Sequence, residues 1–371
     1  MGIKELIQLR NSLHREPELA GRERQTAEKL TRFLKRQRPD LLITEIAGHG
    51  IIAIYRGNPQ GRTVLLRCDM DALPINEIMK INHRSINRGI SHKCGHDGHM
   101  AILCGVAAEL SKSKPTHGTV ILLFQPAEET GFGAVKVISR LEYKPDLCYA
   151  LHNLPGFSLG QVITRNGSFA GASKGMIITL TGKSSHAAQP LEGISPAPAV
   201  ASLISYFNRI SKLTEGIMAT LIHADIGEIA FGTSPGNALL MVTLRAPTTP
   251  EMNELSQRTV QQIKNTAETE KLQYKIDWTE EFPATINAEL PNSIIRRTAE
   301  QLGFKTTTPE KPFPWSEDFG HFTEKYPGAL FGLGAGLHTP PLHSPDYDFP
   351  DELIPTGVEV FKGIIERSLK L

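Results

Sequence analysis

Short, uninterrupted apolar runs that alternate with helix-like stretches are the feature that most restricts the fold of this chain. The clearest segments in the first half are the strand-like TVLLRC at 63–68, the helix-like HMAILCGVAAEL at 99–110, and the strand-like GTVILLF at 118–124 and DLCYAL at 146–151. Continuous apolar runs of this length are typical of strands buried on both faces of a parallel sheet. The alternation therefore predicts an α/β layer fold over residues 1–171.

Polar side chains follow these predicted strands at the point where each strand ends. In chain order they are Asp69 and Asp71, then Glu128 and Glu129, then His152. Ligands of open parallel sheets bind outside the carboxyl ends of the strands. We therefore expect one rim of the sheet to collect all of these groups.

The pattern changes between residues 172 and 282. The predicted elements there are the strand GMIITLTGK at 175–183, a helix around 197–207, the strands TLIHADIGEIAF at 220–231 and NALLMVTLRA at 237–246, a helix that begins near Thr249, and the strand YKIDWTEEF at 274–282. The order strand, helix, strand, strand, helix, strand is that of a ferredoxin-like unit. We predict a separate α+β domain over 172–282, inserted into an α/β domain formed by 1–171 and 283–371, which a chain of 371 residues is long enough to supply.

The balance of charges indicates the kind of partner. Forty basic and thirty-nine acidic residues leave a formal charge of +1, without the excess that marks nucleic-acid or anionic-membrane binders. No apolar run approaches the ~20 residues that span a bilayer, and charges interrupt the helical stripe near the N-terminus, unlike a secretion signal. The four cysteines form no C-x-x-C pair. We expect a cytoplasmic protein without disulfides whose partner is a small molecule.

The strongest local motif is His92-Lys-Cys-Gly-His-Asp-Gly-His99, which places a thiol and three imidazoles just before an apolar helix. Thiolate and imidazole are the ligands that zinc and similar divalent ions prefer. The alternative is a polar loop that caps the helix, with Asp97 as the capping residue. That alternative suits Asp97 and His99 better than it suits Cys94 and His96. The segment alone leaves both interpretations open.

A second motif, FQPAEETG at 124–131, brings two adjacent carboxylates to the end of a buried-looking strand. Such acids are usually turn residues that face solvent. Beside a metal ion, however, one carboxylate can coordinate the ion while the other takes a proton from the attacking water. His152 and His343 are individually typical of ordinary polar positions, but together they would supply the remaining imidazoles.

Ordered motifs along nearly the whole chain resemble those of the zinc-metallopeptidase family of the aminoacylase and carboxypeptidase-like type. Within it, the chain is most similar to the branch of aminoacylases, hippurate hydrolases and auxin (IAA)-amino acid hydrolases. The motifs are LHREPELAGRE (13–23), LLRCDMDALPINE (65–77), CGHDGHMAILCG (94–105), GTVILLFQPAEETGFGA (118–134), ALHNLPGFSLGQV (150–162), GKSSHAAQP (182–190), SEDFGHF (316–322) and LHSPDYDFPDE (342–352). The resemblance implies a zinc-peptidase-like catalytic domain with a mostly parallel central sheet and an inserted ferredoxin-like domain that mediates dimerisation.

The resemblance also implies a site for two divalent ions, with zinc, manganese, cobalt and nickel as the candidates. The implied ligands are Cys94, His96, Glu129, His152 and His343. Glu128 occupies the position of the general base. Asp71, with Asp69 beside it, occupies the position of the acidic pair that supports the site.

Further roles implied by the resemblance fall in the inserted domain. His186 occupies the position of a loop histidine that reaches the active site of the partner subunit and stabilises the oxyanion. Asn237 and Arg245 fall where this domain meets the substrate carboxylate. The implied reaction is hydrolysis of an N-acyl amino acid, such as an N-acetyl or N-benzoyl derivative, to a carboxylate and a free amino acid by a homodimer.

Three other functions are compatible with parts of the sequence. A metal-dependent dipeptidase or carboxypeptidase would use the same mechanism. A non-catalytic protein that binds acyl amino acids could have the same fold, because fold does not determine function. A thiol hydrolase using Cys94 with His96 is disfavoured, because these residues lie two apart in one loop and a cysteine nucleophile does not need the adjacent glutamates.

Overall fold

The computed structural model describes residues 2–213 and 215–370, and the chain forms two units. The first unit comprises the chain up to Phe169, Thr285–Lys311 and the chain from Asp318 onward, and the inserted unit comprises Ala170–Ala284 and Pro312–Glu317. The predicted boundaries at 172 and 282 lie two residues inside the observed ones. The segment Pro312–Glu317 differs from the prediction, because it belongs to the inserted unit, where the Gly171 N–H contacts the carbonyls of Phe313 and Trp315.

The helices and strands of the described residues are numbered here in chain order. The helices are α1 (Ile3–Arg15), α2 (Arg24–Arg36), α3 (His96–Lys112), α4 (Gly133–Arg140), α5 (Ala197–Leu213), α6 (Thr249–Thr269), α7 (Glu289–Gln301), α8 (Gly320–Lys325) and α9 (Leu353–Leu369). The strands are β1 (Leu41–Ile46), β2 (Gly50–Arg56), β3 (Asn58–Asp69), β4 (His117–Gln125), β5 (Leu147–Pro155), β6 (Val162–Ile163), β7 (Gly167–Ala170), β8 (Ala172–Thr181), β9 (Ser185–His186), β10 (Met218–Ile226), β11 (Thr233–Ser234), β12 (Asn237–Ala246), β13 (Gln273–Phe282), β14 (Thr285–Asn287), β15 (Thr306–Thr307) and β16 (Gly328–Gly336). Over the described ranges, none of the helices has the length and apolarity needed to cross a membrane.

The first unit is built on an eight-stranded mixed sheet in the order β1-β2-β4-β3-β5-β16-β6-β15. The inner strands β4, β3, β5 and β16 run parallel to one another. Antiparallel pairs occur toward the edges, where β1 joins β2, β2 joins β4, and β6 joins β16. The prediction of an α/β fold with a mostly parallel central sheet is confirmed. Each predicted apolar run falls on one of the inner strands, because those strands are covered on both faces.

Helices α3 and α9 pack against each other in the first unit and bury much of the apolar surface. The residues of α9 that face the core include Val358, Phe361 and Ile365, at the spacing of one helical face. Phe361 meets Phe331 of β16 edge to face, with ring centroids 5.5 Å apart. Nearly every residue of α3 is buried, so the polar groups at its beginning lie at the edge of a rigid core.

The inserted unit contains a four-stranded antiparallel sheet in the order β10-β12-β8-β13. Its chain order, β8-α5-β10-β12-α6-β13, is the predicted ferredoxin-like order. Helix α6 begins as expected, with Thr248 as the N-cap that accepts the Glu251 N–H and with proline in the first turn. The predicted strand 220–231 is too long. β10 ends at Ile226, because Gly227 has a φ of +65° and the chain turns there.

Candidate metal centre and active site

Gly95 is the N-cap of helix α3 and separates Cys94 from His96. It has a left-handed backbone with φ of +92°, which favours glycine, and a Cβ atom there would lie 2.6 Å from the side-chain oxygen of Asn153. The sharp turn allows both neighbours to reach one point. Cys94 Sγ lies 3.4 Å from His152 Nε2, and one potential ligand atom each from Cys94, His96 and His152 lies within 4.8 Å of the others.

The turn after β4 brings Glu128 and Glu129 to the same place. The two oxygens of the Asp71 carboxylate accept the backbone N–H groups of Glu128 and Glu129, at 3.0 Å each. Glu129 Oε1 lies 3.8 Å from both His96 Nε2 and His343 Nε2. Glu128 Oε2 lies 3.9 Å from His96 Nε2. The structure therefore gathers the five residues predicted as ligands, and Glu128, around one rim of the sheet.

The protonation pattern of the histidines fits a metal ion. His96 Nδ1 lies 2.9 Å from the Asp71 carbonyl and His152 Nδ1 lies 2.9 Å from the Asn153 carbonyl. Because a carbonyl only accepts, each Nδ1 carries the proton, and in the neutral imidazole each Nε2 presents a lone pair. His96 Nε2 and Glu129 Oε1 are buried without a hydrogen-bond partner. Buried acceptors left in this way cost about 1–3 kcal/mol each, unless a cation binds them. The set of thiol, imidazole and carboxylate donors fits a divalent ion.

Asp71 and Asp69 hold residues of the site in place through hydrogen bonds. Asp71 orients Glu128 and Glu129 through its side chain, and it orients His96 through its carbonyl. The Asp69 carboxylate is fully buried, accepts from Arg67 at 2.9 Å and bonds to His99 Nδ1 at 2.6 Å. Both predicted acids thus contact the residues around the cluster.

Arg67 is a buried residue of the site that the sequence analysis did not predict. Its buried guanidinium donates to Asp69, to Asp318 at 2.6 Å, and to the side chain of Gln125. The backbone N–H of Asp318 in turn lies 3.4 Å from Glu128 Oε1. One network therefore connects the histidine side of the cluster with Glu128. The signal in the sequence that could have identified Arg67 is its charge within the apolar run TVLLRC, since a buried charge requires a partner.

A second buried network corrects the reading of Asp97 as a helix cap. Gly95 is the N-cap of α3, and the Asp97 carboxylate, inside the first turn, bonds instead to His14 Nδ1 at 2.8 Å. His14 Nε2 lies 3.1 Å from the Glu77 carboxylate. Burial alone would lower the pKa of His14, but Asp97 and Glu77 outweigh it and raise the pKa to about 9.

Lys93 and His99, in the same motif, are also buried and hydrogen-bonded. Lys93 Nζ donates to Glu77 and to the Tyr347 carbonyl, at 2.7 Å each. Burial raises the pKa of Glu77, but hydrogen bonds from His14 and Lys93 bring it to about 2. His99, which suited the interpretation of a polar capping loop, is buried and bonds to both Asp69 and Asn153. The motif around Cys94 is therefore anchored through most of its polar side chains.

The predicted residues of the inserted unit lie on its sheets. His186 is exposed on β9, and its Nδ1 accepts the Ala188 N–H at 3.0 Å, so its Nε2 carries the proton and can donate. Asn237 and Arg245 occupy opposite ends of β12, eight residues and about 27 Å apart. Arg245 donates to the Pro314 carbonyl and Ser316 Oγ. One small substrate cannot touch Asn237 and Arg245 of the same chain.

A rim of parallel strands that gathers a thiol, imidazoles and a carboxylate, with a second carboxylate beside them, defines the metallohydrolase class. Residues 65–367 match the model of peptidase family M20/M25/M40, and the chain belongs to this family.

Similar proteins are known among both curated sequences and solved structures. The chain is 30% identical to the N-acetyldiaminopimelate deacetylase of Lactobacillus helveticus (strain DPC 4571), covering 97% of each. It is 31% identical to the IAA-amino acid hydrolase ILR1-like 5 of Arabidopsis thaliana, over 98% of this chain and 86% of that one. The crystal structure of Bacillus subtilis YXEP, a dinuclear metal-binding peptidase of family M20, superimposes with a TM-score of 0.85 at 25% identity, covering 99% of this chain and 98% of that one.

Proposed function

We propose that this protein is a metal-dependent amidohydrolase that cleaves N-acyl amino acids to a carboxylate and a free amino acid. The observation that carries the proposal is the convergence of metal-type donors beside Glu128. The similar deacetylase and IAA-amino acid hydrolase support the substrate class.

Two divalent ions per subunit would be held by Cys94, His96, Glu129, His152 and His343. Cys94 belongs to one donor group with His96 and His152 and to another with Glu129 and His343, so its sulfur can serve both positions. When bound, such ions acidify water and polarise the amide carbonyl.

Zinc, manganese, cobalt and nickel remain the candidates. The cytosol remains the expected compartment, because the four cysteines are free and buried.

Glu128 is the residue that moves the proton in this proposal. The Glu128 side chain is only 5% exposed. Bulk water therefore has little access to the carboxylate and does not compete with the water molecule that attacks the amide. As the oxygen of that water bonds to the amide carbon, Glu128 takes its proton. The C–N bond then breaks, and Glu128 returns the proton to the leaving nitrogen. The Asp318 N–H and the turn held by Asp71 keep the carboxylate in place.

We propose a homodimer formed through the inserted unit, with His186 serving the site of the partner subunit. Strand β10 lies at one edge of its sheet, and Leu191, Ile229 and Phe231 are fully exposed in the loops that flank the His186 hairpin. An unpaired edge and exposed apolar side chains are suited to a second copy of the chain. The separation of Asn237 from Arg245 supports this arrangement, because two chains can bring both residues to one substrate.

The substrate class can be tested with a panel of N-acetyl and N-benzoyl amino acids and dipeptides, each assayed with added zinc, manganese, cobalt or nickel. We expect metal-dependent release of acetate or benzoate to exceed release of amino acids from dipeptides. A preference for dipeptides would instead identify a metallo-dipeptidase. Tight binding of acyl amino acids without turnover under any metal would indicate a binding protein.

The metal ligands can be tested without measuring turnover. Cys94→Ala should lower the bound metal from about two ions per subunit to one or fewer, because both donor groups that contain Cys94 lose a ligand. Elemental analysis of protein reconstituted with one metal would measure this, with Cys104→Ala, a buried thiol in the middle of α3, as the matched control. Equal metal content in the Cys94→Ala variant and the parent would remove Cys94 from the ligand set.

A further inference from the structure

The turn that carries Glu128 is held by carboxylates from two distant parts of the chain. Asp71 accepts the N–H groups of Glu128 and Glu129, and Glu23 accepts the N–H of Ala127 at 2.8 Å. Three successive N–H groups are therefore received by two side chains. Glu23 precedes Ala127 by 104 residues, so this contact depends on the packing of the segment before α2 against the end of β4.

Ala127 needs such support because of its backbone conformation. Its φ is +56°, in the left-handed region that residues with a Cβ atom rarely adopt. The conformation reverses the chain between β4 and Glu128, so it determines where the Glu128 side chain begins. Any relaxation of Ala127 toward the ordinary helical region would turn Glu128 away from its present place.

Glu23 is held in this position by burial and by hydrogen bonds. The residue is fully buried, and one of its oxygens accepts both the Ala127 N–H and the Gly21 N–H, at 2.8 Å each. Keeping a carboxyl group away from water is costly, so a purely structural cap would favour an exposed acid. Glu18, in the same segment, differs in that it is only half-buried: it caps the start of α2 by accepting the N–H and the hydroxyl of Thr26.

We propose that Glu23 is a positioning residue for the general base, acting through the backbone of Ala127 to aim the Glu128 carboxylate. The inference rests on the proposed role of Glu128. The contact of Glu23 with this turn is to the Ala127 backbone, so its removal should alter the rate of proton transfer rather than the binding of substrate or metal.

Substitutions at Glu23 can separate an effect on the position of the Glu128 carboxylate from an effect on folding. We expect Glu23→Ala to lower kcat about 10-fold to 100-fold, with KM and metal content unchanged, because a misplaced base loses proton-transfer efficiency. Glu23→Gln retains an acceptor oxygen at the same reach and should stay within about fivefold of the parent. Glu23→Asp withdraws the oxygen by one methylene and should fall between the two. Should Glu23→Ala fail to fold, the comparison of Gln with Asp decides the same question.

A second-site change tests the route of the effect. Glycine adopts a positive φ at little cost, so Ala127→Gly should recover part of the kcat lost in Glu23→Ala. Glu18→Ala is the matched control, since it removes a carboxylate from the same segment and should leave kcat unchanged despite a lower Tm.

Two sets of outcomes would overturn the proposal. Normal kcat in Glu23→Ala, or an equal loss in Glu18→Ala, would show that Glu23 does not position the base. A parallel loss of metal and kcat in Glu23→Ala would assign it to the metal centre instead. Glu128→Gln is assayed alongside: if it retains turnover, the proposed base is wrong, whereas an inactive Glu128→Gln with a fully active Glu23→Ala refutes this inference alone.

Discussion

Glu128→Gln is expected to bind metal and substrate as the parent protein does and to lose at least about 10²–10⁴-fold in kcat. The amide has the shape of the carboxylate and can still accept the Asp318 N–H, so the surrounding turn should not move. It cannot take a proton from water, however, and therefore cannot return one to the leaving nitrogen. The loss should appear in kcat rather than in KM.

Three measurements on the purified variant make this result decisive. They are steady-state kinetics with an N-acyl amino acid, elemental analysis for bound metal, and the Tm. Glu142→Gln, which makes the same chemical change at an exposed position, is the matched control and should retain normal activity. Near-normal turnover in Glu128→Gln would transfer the role of base to another residue, with Asp71 the first to examine.

His186→Ala is expected to lower kcat about 10²–10³-fold with little change in metal content. The reason is that its Nε2–H is a hydrogen-bond donor, which can stabilise the negative charge that develops on the carbonyl oxygen. The proposal further states that each His186 acts in the site of the partner subunit, which the two-fold symmetry of a dimer permits.

Mixing His186→Ala with Glu128→Gln under conditions that exchange subunits tests the arrangement across the dimer. In a mixed dimer one site would contain Glu128 from one chain and His186 from the other, so about a quarter of all sites should regain activity. If His186 acts within its own chain, every site retains one defect and no activity returns. Exchange must be verified with two affinity tags, and each variant mixed with itself should remain inactive. A fully active monomer would also refute the proposal.

Several site residues could be predicted because their positions follow from local patterns. Asp71, Glu128, Glu129 and His152 come at or just after the ends of apolar runs. The carboxyl ends of neighbouring parallel strands meet at one rim, so strand prediction was sufficient to expect these groups to be close. The local pattern left two interpretations open for Cys94 and His96, and the family resemblance selected the metal ligands. The same patterns could not show that Asp97 pairs with His14 rather than capping α3, because that pairing depends on how α1 packs against α3.

The sequence by itself determined the order of the main strands and helices, the parallel central sheet and the rim where the polar residues that follow its strands converge, because these depend on periodicity and on the direction of strands. Tertiary structure alone decided which buried charges pair. Arg67 meets Asp318 across 251 positions of the chain, and Glu23 meets Ala127 across 104. A charged residue in a buried segment predicts that a partner exists. Any opposite charge or backbone group can be that partner, so the sequence does not show which one it is. Only the packing of the core selects one, because close packing leaves a single arrangement in which these groups come within hydrogen-bonding distance.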